Sequence, residues 1–207
     1  MKLRRRLVAA SLLLAVESMV LALLVTESVT GALAAAGLTC LSLWLHLALH
    51  EGGHLAAAEL LRLPVVAVHI APFNGWRNEV SVRPSASMPA LPLRMALFYL
   101  AGPVANLGAA TALAVAATHT GTASTRLALF SAAFVGALLG LGNLVPGRSA
   151  RSDGRNLARW IGAPAAARAG LRAYYQEEAV RALRVTARAG GDGRRAGGQT
   201  PSAERSR

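Results

Sequence analysis

Cys40 is the only cysteine in 207 residues. That excludes an intrachain disulfide and any zinc cluster built on cysteines. Acid is scarce too: 10 Asp and Glu stand against 22 Lys and Arg, for a net charge of +12, and charged residues of both signs make up only 15% of the chain. No internal repeat is visible, and the chain is too short for an appended soluble sensor or peptide-binding domain. The positive excess invites nucleic acid as a partner, but its distribution excludes that reading. From Arg148 to Arg207, 13 arginines face 5 acidic residues, a net of +8, while Lys2, Arg4, Arg5 and Arg6 crowd the other end. Positive charge that flanks apolar segments points to anionic lipid headgroups.

What the chain has in abundance is apolar residues, at 54%, with a mean hydropathy of +0.41. They gather in four runs, at roughly 7–25, 32–61, 93–117 and 127–145. Each is close to or above the ~20 residues that a helix needs to cross a ~30 Å hydrocarbon core. The expected fold is an all-α polytopic membrane protein of about four transmembrane helices, one N-terminal helix preceding a three-helix core. The first run follows Lys2 and Arg4–Arg6 as the core of a signal peptide would. It is longer than the ~7–15 residues of such a core and lacks a small-residue cleavage site, so a retained helix is expected. Glu17 within it is expected to face another helix or a water-filled cavity.

Basic residues orient the helices. The N-terminus is basic, the first connection (26–31) has no Lys or Arg, the second contains Arg62, Arg77 and Arg83, the third (118–125) has none, and the tail is Arg-rich. The pattern predicts a multi-pass cell-membrane protein with both termini cytoplasmic.

The second run contains His50-Glu51-Gly52-Gly53-His54. Histidines four apart on a helix project from one face, one turn apart, where two imidazoles can hold a single zinc ion. Glu51 between them is placed to act as general base. Polar groups of this kind at bilayer depth mark function by default. Zinc needs a third protein ligand and one open position. In the predicted topology the fourth run ends at the depth of the histidines. Asp153, the only acid in the thirty residues after Leu127, is the candidate. His46, one turn before His50, is expected to support or pack against the site, while His69 and His119 fall in connections.

Between the second and third runs, two β-branched stretches (64–71 and 79–83) flank Asn74-Gly75. They predict a short β-hairpin, whose edge a peptide substrate can extend as a further strand. The third run carries Ala101-Gly102-Pro103-Val104-Ala105-Asn106. There the glycine permits close helix approach and the asparagine offers an amide to a neighbouring helix. After Asp153-Gly154 the tail reads as one or two basic amphipathic helices on the cytoplasmic leaflet. From Gly190 its composition predicts disorder. The expected organisation is an N-terminal helix and outer loop (1–31), a core (32–156), an amphipathic tail (157–189) and a disordered end (190–207).

HEGGH at 50–54, AGPVAN at 101–106 and NLVPGRSARSDG at 143–154 together resemble the site-2 protease family of intramembrane zinc metalloproteases, over roughly residues 32–156. The resemblance implies hydrolysis of peptide bonds in transmembrane segments. It implies His50, His54 and Asp153 as ligands of Zn2+, Glu51 as catalytic base, and Asn143 as a residue that helps to hold substrate near the metal. Asn106 belongs to the middle-helix motif and joins Asn143 as a candidate substrate-binding residue. The implied substrate is a single-span membrane protein or a signal peptide. One departure is plain: the family's last motif has four residues between proline and aspartate, and here six intervene, Gly147 to Ser152.

Two other readings remain. A membrane metal-binding or transport protein also carries His and Glu at helical spacing, although it should show polar ligands along a whole path, and the outer halves of these runs are apolar. A catalytically inactive relative of the proteases is the other; intact Glu51 argues against it and the longer spacing argues for it.

Overall fold

A computed structural model describes residues 13–24 except 15, 28–70, 78–146 and 152–196, with 183–196 as backbone only. Helix α1 spans Val29–Leu60, strands β1 and β2 span Val65–His69 and Glu79–Val82, α2 spans Leu91–Thr118, α3 Ala123–Leu144, α4 Asp153–Gly162 and α5 Pro164–Ala196. Residues 13–24, where described, are helical and precede α1. By contacts the chain divides into one unit through Pro164 and a second from Ala165 onward.

Local chemistry sets the helix ends. At the start of α1 the Ser28 hydroxyl accepts a hydrogen bond from the Gly31 N–H, and at α3 the Thr122 hydroxyl accepts from Thr125. Both satisfy donors that the first turn leaves without partners. At its other end α1 closes in a Schellman motif: the Leu63 N–H bonds to the Ala58 carbonyl and the Arg62 N–H to that of Glu59. Arg62 takes the left-handed conformation, φ 50°, in the place where glycine is usual. Leu63 and Ala58 are both buried, which supplies the apolar contact of that motif. Arg94, near the start of α2, donates to the Leu61 carbonyl at 2.8 Å and ties the two helix ends together.

Helices α1, α2 and α3 pack on one another, with α4 mainly against α2 and the β-pair beside α1. The strands are antiparallel, with His69 opposite Glu79 and Val68 opposite Val80, and an irregularity between Val65 and Ala67. The predicted hairpin is therefore present as two paired strands, while its Asn74-Gly75 turn lies outside the described residues. Helix α5 runs on to Ala196, so 190–196 of the segment expected to be disordered is helical, and 197–207 lies outside the description.

Three helices, α1, α2 and α3, are long and apolar enough to cross a membrane. Their burial is inverted relative to a protein folded in water. The inward face of α1 carries Ala32, Ala35, Thr39, Ser42, His46, His50, His54 and Ala58, spaced mostly three or four apart, while Leu33, Leu38, Leu41, Leu45 and Leu49 lie outside. Phe130, Phe134, Leu138 and Leu141 do the same on α3. Small and polar residues at helix contacts with leucine outside is the arrangement that a lipid solvent selects. Ahead of these spans, the Ser18 hydroxyl donates to Thr39 at 2.9 Å, and Ala22 packs with Ala32, Ala35 and Ala128, so the N-terminal helix docks on the same bundle.

Leu45 is 53% exposed near the middle of α1. Replacing it with arginine is expected to raise the apparent insertion free energy of this helix by roughly 3 kcal/mol. A glycosylation-based membrane-insertion assay reads that shift, and unchanged insertion would show that this face does not meet lipid.

Candidate metal centre

His50 and His54 lie in the last third of α1, His50 about 15 Å from its C-terminal end at 1.5 Å per residue. Their Nε2 atoms approach to 3.2 Å, with the rings edge to face. Oδ2 of Asp153, from the first turn of α4, stands 2.9 Å from the His50 Nε2 and 3.4 Å from that of His54. Three potential donor atoms thus form a near-equilateral triangle. Ligands at the corners of a tetrahedron with bonds of 2.0–2.1 Å lie about 3.3 Å apart, so a zinc-sized cation fits the triangle without rearrangement. Two imidazoles and a carboxylate are also the right chemistry for such an ion, and among the described residues they form a group able to hold one.

The surroundings are shaped for this triangle. The His54 Nδ1–H donates to the Phe98 carbonyl at 2.7 Å, which leaves Nε2 as the lone-pair nitrogen facing His50 and Asp153. Gly102 of α2 lies directly against both rings. A Cβ there would sit 2.5 Å from the His54 Nε2 and 2.9 Å from the His50 Nε2, so any larger residue displaces the donor atoms. Asp153 is fixed by its neighbour: a Cβ on Gly154 would run into the Leu144 carbonyl, so glycine lets α4 start hard against the end of α3. Burial disfavours charge on the Asp153 carboxyl, but the His50 and His54 rings beside it outweigh that and hold its pKa below the usual carboxylate value.

The six-residue spacer before Asp153 does not keep it from the site. Residues 147–151 are outside the description, but the ends of the spacer meet, since the Ser152 hydroxyl donates to the Val145 carbonyl at 3.2 Å. Glu51 is half-buried beside the triangle, with the Val80 backbone of β2 near its side chain.

Of the other residues singled out in the sequence, Asn106 is fully buried and bonds across helices to His46 and His50, at 3.3 and 3.4 Å. Asn143 is half-buried in the last turn of α3 and stands apart from this network. His46 is buried and outside the donor triangle; His69 and His119 are exposed. The sequence reading missed the Phe98 carbonyl and the Val80 backbone. Neither is a side chain, and no side-chain pattern reports them. No family model, curated protein or solved structure matches the chain.

Gly102→Ala and Gly154→Ala are each expected to reduce bound divalent metal in the purified protein to well below one ion per chain while helix content by circular dichroism stays unchanged. Full metal occupancy in both variants would mean that the donor atoms are not held as described.

Proposed function

We propose that the protein is an intramembrane zinc metalloprotease of the site-2 protease type. The observation that carries this reading is the convergence of the His50, His54 and Asp153 donor atoms, with the carboxylate of Glu51 adjacent, inside a bundle of membrane-length helices. The same two-histidine, one-carboxylate set serves iron in oxygenases. A free glutamate within the HExxH turn favours hydrolysis and therefore zinc.

Zinc bound there would lower the pKa of water to about 7 and polarise a peptide carbonyl. The chain's own residues do the rest. Glu51 takes a proton from the attacking water and delivers it to the leaving amine. The Phe98 carbonyl holds His54 in the tautomer that ligation needs. In this reading Asn143, in the last turn of α3, helps to hold substrate near the metal. A transmembrane helix shields its peptide bonds, so the substrate segment unwinds before cleavage. The outer edge of β2 offers backbone groups to such an extended segment.

In this reading residues 7–25 form a fourth span and both termini are cytoplasmic. The centre then lies in the cytoplasmic half of the membrane and the basic tail rests on anionic headgroups. Substrates are single-span membrane proteins or signal peptides left in the bilayer. Metal transport fits less well, because the polar residues farther along α1 are already engaged: Thr39 donates to the Ala35 carbonyl and accepts from Ser18, and Ser42 donates to the Thr39 carbonyl.

Glu51→Gln is expected to keep zinc but lower cleavage by about 10²- to 10⁴-fold, the usual contribution of a general base. Asp153→Ala is expected to lose the metal. Proteomics of membrane peptides accumulating in cells that carry Glu51→Gln would reveal the substrates. Undiminished turnover in that variant would refute the mechanism, and iron rather than zinc on metal analysis would refute the reaction class.

A further inference from the structure

His46 has no part in the mechanism above, yet it is one of the most tightly held side chains in the molecule. It is 3% exposed on α1, one turn before His50. On one side it meets Asn106 of α2, and on the other Gly136 of α3, where any Cβ would run into the imidazole ring. Asn106, with no exposed surface, touches His50 through the other end of its amide. A continuous line of polar contacts therefore runs from His46 through Asn106 and His50 to Asp153.

With both rings neutral, two arrangements of protons bear on that line, one suited to the empty site and one to a bound cation. In the arrangement drawn by the structure, the His46 Nδ1–H donates to Asn106 Oδ1 and the Asn106 Nδ2–H donates to His50 Nδ1. His50 then carries its proton on Nε2 and donates it to Asp153, 2.9 Å away. That arrangement suits the site without a cation. A cation on His50 Nε2 needs that nitrogen bare, so the proton must sit on Nδ1 and its partner must be an acceptor. Asn106 supplies one by turning its amide, whose two ends have nearly the same size. Its NH2 then faces His46, which must accept through Nδ1 and carry its own proton on Nε2. Each ring stays neutral in both arrangements.

We propose that His46 is a positioning residue for the metal: through Asn106 it determines which nitrogen of His50 is bare. The inference rests on the metal reading of the His50, His54 and Asp153 triangle but not on any protease activity. Outer partners of this kind typically change metal affinity by about 10- to 100-fold when removed. An apolar ring at 46 would fill the slot against Gly136 without offering an acceptor, whereas asparagine offers a polar group near the position of Nδ1.

The test uses the full chain purified in detergent, with zinc affinity from chelator competition and the visible absorption of bound cobalt. His46→Phe should weaken zinc binding by about 10- to 100-fold and shift the cobalt spectrum, as should Asn106→Leu. His46→Asn should recover most of the loss. The double variant should bind no more weakly than Asn106→Leu alone, because His46 acts only through the amide. Nitrogen NMR of histidine-labelled native protein needs no substitution: zinc should move the His46 proton from Nδ1 to Nε2. Native affinity in His46→Phe, simple addition of the two losses, or an unchanged His46 tautomer would each overturn the proposal while leaving the metal site intact. Failure of the native chain to bind zinc or cobalt would overturn the metal reading and this inference with it.

Discussion

Imidazoles and carboxylates inside an apolar bundle have no water to satisfy them, so each must find a partner in the protein. Much of the molecule is arranged around that constraint. His54 reaches a backbone carbonyl of α2, His50 reaches an amide of α2 and a carboxylate of α4, and His46 lies between α2 and α3. The partners come from three other helices, which makes the polar centre the point where the tertiary structure is specified. The lipid-facing leucines, by contrast, carry little information about which helix sits beside which.

Close approach is the other half of the arrangement. Donor atoms about 3 Å apart on separate helices require backbones nearer than ordinary side chains permit. Glycines stand at the places where this happens: Gly102 over the two ligand rings, Gly154 at the junction of α3 with α4, and Gly136 against His46. A helix hydrophobic on nearly all sides can accept such residues, since neighbouring helices and not water cover the gaps they leave.

The spans and the donor set were legible in the sequence, because both are written in side chains. Runs of apolar residues mark α1, α2 and α3 to within a few residues, and the four-residue spacing of His50 and His54 places them on one face. Asp153 could be named from the predicted depth of the fourth run and the scarcity of acid. The strand pair was visible in its β-branched stretches. Other features rest on backbone geometry that composition does not record. Arg62 in a left-handed cap carries no glycine to announce it, and the hydrogen bond from His54 to Phe98 needs the third dimension. His46 could be expected to support or pack against the site, but not which group it meets, because its partner is sixty residues away.

The hydrogen bond from Ser152 to Val145 separates two matters that the linear motif joins. The clasp anchors the start of α4 to the end of α3, so the place of Asp153 is set on the near side of the spacer and not by counting along it. What lies between becomes a closed loop, and enlarging such a loop is inexpensive, about 0.6 kcal/mol for each doubling of its length. Such an architecture can absorb insertions at this point while its geometry stays constant. Strict residue spacing is then a poor guide to which chains possess it.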